Sequence, residues 1–276
     1  MGGSLALALK RSWGAQTQIA GCSRRPETVD KARKLGIIDA GAENPEYAVK
    51  EADLVIIATP VMAIKDILKE ISSGLKPDCV VTDAGSTKTK VMEWAEEYLP
   101  GGISFIGGHP MAGRETSGID EADADLFHNC VYCLTPAPDA TGEAILTLQG
   151  MVEAIGARPM LIDARAHDEL VAGVSHLPMM LSAAFVAATT ESPLWSEMAK
   201  IAAGGYRDLS RLASGNPEMN RDICLTNRDQ IILWLDRYID ELKRYRTLVT
   251  EGGDGIKDAL QRARDAREKW LMGDER

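Results

Sequence analysis

The 276-residue sequence predicts an α/β domain followed by an all-helical one, and three observations carry that prediction. Short apolar runs of strand length alternate with helical stretches as far as Ile162, the pattern of a doubly wound sheet. One of these runs, Asp53–Ala58 (DLVIIA), is continuously apolar, as a central parallel strand buried on both faces is. From Ala164 onward only helical patterning remains, which places a domain boundary at Asp163: residues 1–163 form the sheet domain and 164–276 the helical one.

Taken in order, Ser4–Trp13 reads as a helix stopped by Gly14, and Thr17–Ser23 as the strand after it. A helix that opens on glycines ahead of a strand reads as a βαβ unit lacking its first strand, with Gly2 standing where the third glycine of G-x-G-x-x-G would be. In the order 3-2-1-4-5-6 that strand would lie between Thr17–Cys22 and Asp53–Ala58, so either a gap or a collapsed direct pairing is expected there. Pro26–Leu35 makes a helix ended by Gly36. Asp53–Ala58 runs into Thr59 and Pro60 and then the helix VMAIKDILKEI. Cys79–Asp83 is the next strand, and Ser86 lies on the loop that leads from it into another helix. A strand at Ile103–Ile106 precedes GGHPMAG, followed by a strand at Val131–Thr135, a helix at Gly142–Ile155 and a last strand at Arg158–Ile162.

In the helical half, Ile231, Leu235, Tyr238, Leu242, Tyr245 and Val249 recur at spacings of four and three, a heptad-like seam that ends at Gly252–Gly255 and suits dimerisation. A net charge of −10 argues against nucleic acid and anionic membrane as partners, yet leaves room for a local basic pocket. No signal peptide is visible, and Leu177–Thr190, the longest weakly polar stretch, is too short to span a bilayer, so a cytoplasmic protein is expected. Five scattered cysteines suit buried thiols, and the histidines and cysteines show no metal-ligand spacing.

His109 is the focal residue. Gly107, Gly108 and Gly113 surround it, and it is read as an imidazole on a loop just past a strand's carboxyl end, where open α/β sheets bind ligands. Its residue type suits a general base, and equally a turn-capping histidine. Ser23, Arg24 and Arg25 follow the second strand of the dinucleotide pattern, where a carboxylate would bind the ribose of NAD. Guanidinium groups there suit the 2′-phosphate of NADP. His167 and His176 are nine residues apart, which on a regular helix turns them to opposite sides. Arg207 and Arg211 share a helix face and read on residue type as a surface ion-pair ladder.

VTDAGSTK, FIGGHPMAGRETSG, Leu126–Asn129, HDELVAGVSHLP and GGYRDLSRLASGNPEMNRDI, in that order, strongly resemble the prephenate/arogenate dehydrogenase family over almost the whole chain. The resemblance implies a Rossmann-type NAD(P) domain, here lacking its first strand, and a helical dimerisation domain, with the active site between them. The reaction implied is oxidative decarboxylation of prephenate or arogenate in tyrosine biosynthesis. By the same resemblance His109 would accept the proton of the C4 hydroxyl and Ser86 would orient that hydroxyl or the histidine. Arg211 would hold a substrate carboxylate, His176 would line the pocket and Glu115 would gate or polarise its entrance. The cofactor residues would be Gly2, Ser23, Arg24, Arg25, Thr59 and Pro60, with NADP preferred and NAD possible. The alternatives are a β-hydroxyacid dehydrogenase, with a lysine-centred site, and a non-catalytic helical dimer that has lost its cofactor site.

Overall fold

The computed structural model describes residues 1–14, 17–113 and 118–273. Helix α1 (Gly2–Trp13) leads into strand β1 (Ala20–Cys22), α2 (Pro26–Lys34) and β2 (Ala40–Ala42). Then come α3 (Pro45–Val49), β3 (Leu54–Ile57), α4 (Val61–Ile71), β4 (Val80–Asp83), α5 (Thr89–Tyr98), β5 (Ser104–Pro110) and β6 (Val131–Pro136). Helix α6 (Gly142–Ala154) and β7 (Arg158–Leu161) complete the alternation. The helices after it are α7 (Ala164–Val171), a π turn (Ala172–His176), α8 (Leu177–Thr190), α9 (Trp195–Ile201), α10 (Gly204–Ser210), a 3-10 turn (Arg211–Ser214) and α11 (Pro217–Thr226). Residues Met1–Arg228 form one compact unit, which spans the expected boundary at 163, and Asp229–Arg276 form a second. The second contains most of α12 (Arg228–Glu251) and all of α13 (Asp254–Met272).

The main sheet runs β3-β4-β5-β6-β7 and is mixed: β3, β4 and β5 are parallel, and β6 is antiparallel to β5 and parallel to β7. Both faces of the sheet are covered, but β3, expected from DLVIIA to be a central strand, is an edge strand of this sheet, and of Leu54–Ile57 only Ile57 is fully buried. Val80, Ile106, Tyr132 and Leu134 pack with Leu5 and Leu9 of α1 and with Leu148, Met151 and Val152 of α6. On the other face Ile57, Val81, Ile103 and Phe105 pack with Val61, Ile64 and Leu68 of α4 and Val91 and Ala95 of α5. Neighbours such as Val80 and Val81 thus serve opposite layers, the period-2 consequence of a strand sandwiched by helices.

Strands β1 and β2 form a separate two-stranded parallel sheet, and no ladder joins β1 to β3 among the described residues. Of the two arrangements expected between those strands, the gap is the one observed. β2 itself, Ala-Gly-Ala, carries no β-branched or aromatic residue, so nothing in its composition marks it as a strand.

Three expectations are corrected. His109 is not on a loop: β5 continues through Gly107, Gly108, His109 and Pro110, all buried, and His109 pairs with Cys133 of β6. The glycines serve close approach rather than left-handed backbone. A Cβ on Gly108 would stand 2.3 Å from the Asp83 carbonyl oxygen, and one on Gly107 would stand 2.9 Å from Cδ of Lys88. Second, Leu177–Thr190 is the end of a continuous 27-residue helix from Ala164, long and apolar enough by composition to cross a bilayer, with 33% of its most apolar window buried. Its charged first turns carry buried site residues described below. Third, the regular helical register assumed between His167 and His176 is interrupted by the π turn. Pro178 has no N–H to donate to the carbonyl four residues back, and its ring crowds that carbonyl, so the turn widens there.

Candidate active site

The carboxyl ends of β4 and β5 meet at Asp83. Its Oδ1 accepts from the backbone N–H of Gly108 (3.0 Å) and its Oδ2 from that of Gly85 (2.7 Å), while Oδ2 also pairs with Nζ of Lys88. Both side chains of that ion pair are wholly buried. Burial depresses the Lys88 ammonium and the Asp83 carboxylate opposes the loss of its charge. One carboxylate therefore fixes the loop that carries Ser86 and the strand that carries His109. Ser86 is half-buried, and no partner holds its hydroxyl among the described residues.

Helix α7 supplies the other wall. Asp163 caps it, accepting from the backbone N–H groups of Arg165 (2.9 Å) and Ala166 (3.2 Å). One turn on, Asp168 accepts from the N–H of Lys88 at Oδ1 (2.7 Å) and of Thr89 at Oδ2 (2.9 Å), and from Nδ1 of His167 at 2.8 Å. Burial works against its charge, but these bonds outweigh it and hold Asp168 below the usual carboxylate value. Nε2 of His167 then lies 2.9 Å from Nδ1 of His109. The carboxylate can only accept, so Nδ1 of His167 carries a hydrogen. In its neutral form His167 offers its Nε2 lone pair, Nδ1–H of His109 donates to it, and the free lone pair of His109 sits on Nε2.

His109 is held well below the ordinary imidazole value, first by burial and then by repulsion from His167, Lys88 and His176. A neutral imidazole whose bare nitrogen is fixed in place is what proton abstraction requires. His176 joins the same cluster: its Nδ1 lies 3.2 Å from Nδ2 of Asn227, which also donates to the Asp168 carbonyl (2.7 Å). Burial lowers it to about 4; the Asp168 charge opposes the shift and repulsion from His167 adds to it. With one extra residue in the π turn, the nine-residue step from His167 advances roughly as eight α-helical residues would, about 800° instead of about 900°, so the two rings no longer face opposite ways.

Of the residues expected at the site, His109 and His176 lie in this buried cluster and Ser86 on the loop beside it, whereas the groups that hold them were not expected. Lys88 and Asp83 stood in VTDAGSTK, and Asp168 follows His167 in the chain, yet only the fold brings them to His109. Asn227 carried no signal in its spacing. Arg211 opens the 3-10 turn and is exposed, as is Arg207, so neither belongs to this buried chain. Glu115 lies outside the described residues. An apolar cavity of about 350 Å³ borders His167 and includes Met111, Cys133, Met160 and Val174. Neither His109 nor Ser86 lines it, and it offers an anionic ligand no cation.

The six residues expected to hold a cofactor fall after the carboxyl ends of β1 and β3 and at the start of α1. Gly2 opens α1 so close to β3 that a Cβ there would stand 3.2 Å from that of Ala58. Thr59 follows with its Oγ1 buried and without a partner, and Pro60 begins α4. No side chain caps the N-terminus of α1, leaving its N–H groups to an anion. Ser23, Arg24 and Arg25 end β1, with both arginines exposed. An uncapped helix start, an orphaned hydroxyl and two free-standing guanidiniums fit a dinucleotide.

Comparison with known proteins identifies the family. The family model described as prephenate dehydrogenase, nucleotide-binding domain, matches residues 5–161, and the one described as prephenate dehydrogenase, dimerization domain, matches residues 163–262. The chain is 38% identical to a prephenate dehydrogenase of Bacillus subtilis over 97% of its own length and 73% of the relative's. It is 32% identical to a cyclohexadienyl dehydrogenase of Zymomonas mobilis, over 86% of this chain and 82% of that one. Among solved structures, the A. aeolicus prephenate dehydrogenase in complex with hydroxyphenyl propionate and NAD+ superposes with a TM-score of 0.89 at 30% identity, covering 97% and 93% of the two chains. A Synechocystis arogenate dehydrogenase gives 0.82 at 32% identity, covering 97% and 95%. Matched by both domain models and aligned with these relatives along nearly all of its length, the chain belongs to the prephenate dehydrogenase family and is a nicotinamide-dinucleotide-dependent dehydrogenase.

Proposed function

We propose that this enzyme oxidises and decarboxylates a cyclohexadienyl acid, prephenate or arogenate, to 4-hydroxyphenylpyruvate or tyrosine. The observation that carries the reading is the Asp168–His167–His109 chain, which leaves a neutral imidazole with its lone pair on Nε2. His109 accepts the proton of the C4 hydroxyl, and Ser86, on the neighbouring loop, orients that hydroxyl. The bound nicotinamide supplies the acceptor for the hydride that leaves C4. The ring carboxylate departs as carbon dioxide, its bonding electrons passing through the ring to the C4 oxygen, which recovers a proton as the ring becomes aromatic. Arg211 pairs with a substrate carboxylate, His176 lines the pocket, and Glu115 gates the entrance. A charge on a substrate removed from water demands a fixed partner, which is the role proposed for Arg211.

NADP is the preferred cofactor, since Arg24 and Arg25 offer charge-assisted hydrogen bonds to a 2′-phosphate and no carboxylate competes for the ribose hydroxyl. The enzyme acts as a homodimer through its helical part, where Leu194, Ile201 and Leu209 are 64%, 82% and 64% exposed. Steady-state rates with each of the two acids, crossed with NAD and NADP, test the reading. The expected result is decarboxylation of at least one acid and a higher kcat/KM with NADP. Failure with both acids overturns the substrate assignment, and a preference for NAD overturns the cofactor assignment.

A further inference from the structure

His176 ends the π turn with Nε2 buried and without a partner. Whether that atom is an unused donor or an unused lone pair depends on Nδ1, and Nδ1 meets Asn227. This asparagine follows the last turn of α11 and is 5% exposed. Its Nδ2 lies 2.7 Å from the Asp168 carbonyl oxygen and 3.2 Å from His176 Nδ1. A carbonyl oxygen only accepts, so the amide must present its nitrogen, not its oxygen, to Asp168. That nitrogen has a second hydrogen, and His176 Nδ1 is the group facing it. Nδ1 is therefore the acceptor, and the hydrogen of the neutral ring sits on Nε2.

We propose that Asn227 is a positioning residue that holds His176 as its Nε2–H tautomer, so that His176 donates a hydrogen bond to a carboxylate or carbonyl oxygen of the substrate. His109 is held in the opposite tautomer by His167 and Asp168. Two imidazoles of one cluster are thus given different tasks by their partners: one presents a lone pair to the hydroxyl that is oxidised, and the other presents a hydrogen to an oxygen that stays unprotonated. The donation to substrate rests on the functional reading above, in which His176 lines the pocket; the tautomer does not. If the amide is replaced by a carboxylate, the partner of Nδ1 changes from donor to acceptor, and the ring hydrogen should move to Nδ1.

Two-bond ¹H–¹⁵N correlation spectra of ¹⁵N-histidine-labelled enzyme, with His176 assigned through His176→Gln, read the tautomer directly at about pH 7.5, where neutral imidazole dominates. The wild type should show the Nε2–H pattern at His176, and Asn227→Asp the Nδ1–H pattern with the His109 signals unmoved. In parallel, Asn227→Asp and Asn227→Leu should raise the KM for the cyclohexadienyl substrate by about tenfold or more while the KM for the dinucleotide stays within about twofold, as expected when one hydrogen bond to substrate is lost. Nδ1–H on His176 in the wild type, a measurement that needs no variant, would overturn the proposal, as would an Nε2–H pattern that survives in Asn227→Asp. A tautomer that switches while the substrate KM stays put would leave Asn227's hold on the ring standing and remove His176 from the substrate pocket, overturning the donation.

Discussion

At the scale of single residues, the site works by making burial and hydrogen bonding pull in set directions. His109 loses affinity for a proton because its ring is dry and crowded by His167, Lys88 and His176. Asp168 keeps its charge because three donors meet it. Replacing His109 with Asn should lower kcat by about 10²–10⁴-fold, the usual worth of a general base, with cofactor binding little changed. In the wild type the acid limb of kcat/KM should lie below the ordinary imidazole value of 6.5, since His109 must protonate before activity falls. A limb at or above that value would remove His109 as the base. His176 has a stability consequence of defined sign. Its pKa is about 4 folded against 6.5 unfolded, so the unfolded chain binds the extra proton in between. Stability from this group is complete above about pH 6.5 and is lost as pH falls toward 4, on the order of 3 kcal/mol in all. Urea midpoints measured from pH 7.5 down to 4.5 should fall, and fall less in His176→Gln; equal slopes would refute the assignment.

At the scale of elements, β5 and the π turn decide the geometry. Gly107 and Gly108 both have neighbours that a Cβ would crowd, but of different kinds. The Cβ of an alanine at 108 would meet the Asp83 backbone carbonyl, which β4 pairing holds still, whereas at 107 it would meet the Lys88 stem and the Met92 sulfur, which can shift. Gly108→Ala should therefore cost more than Gly107→Ala, by about 1–3 kcal/mol, the usual penalty of overpacking a core. Thermal unfolding of both variants checks this, and equal midpoints would show that the β4–β5 backbone yields. The helical reading from Asp163 onward was legible in the periodicity, because Asp163 caps it and the apolar spacing holds. The π turn was not legible as such. Pro178 was in view, but the direction in which the chain would absorb the missing N–H depends on what the widened turn gains, and that gain is the pairing of His176 with Asn227, 51 residues away.

At the scale of the whole molecule, several large apolar side chains of the helical part are exposed. Ile201 is 82% exposed at the end of α9, and Leu194 and Leu209 are each 64% exposed. A homodimer would cover such a surface. Ile201→Glu should shift the enzyme toward monomer in light scattering at micromolar concentration, because a carboxylate buried without a partner costs several kcal/mol. An unchanged dimer would place the interface elsewhere. The acidic net charge of −10 spreads over the exterior and leaves the candidate cofactor site with two adjacent arginines, Arg24 and Arg25.

The sequence by itself determined the alternation of strands and helices giving way to helices alone, the cover on both faces of the main sheet and the position of His109 between its glycines. These are local or periodic properties: a continuous apolar run needs cover on both sides wherever it lies, and a capped helix starts at its cap. Helix α13 and strand β2 escaped for the converse reason, since an exposed polar helix and an Ala-Gly-Ala strand carry little pattern of their own. Only the tertiary structure decided that His109 lies within a strand, that β6 runs against β5, and that β1 and β3 stand in separate sheets. It alone joined Asp83, Lys88, His109, His167, Asp168, His176 and Asn227 into one cluster. Their contacts span up to 80 residues of chain, and the directional hydrogen bonds that set charge and tautomer exist only once packing has excluded water and brought donor to acceptor.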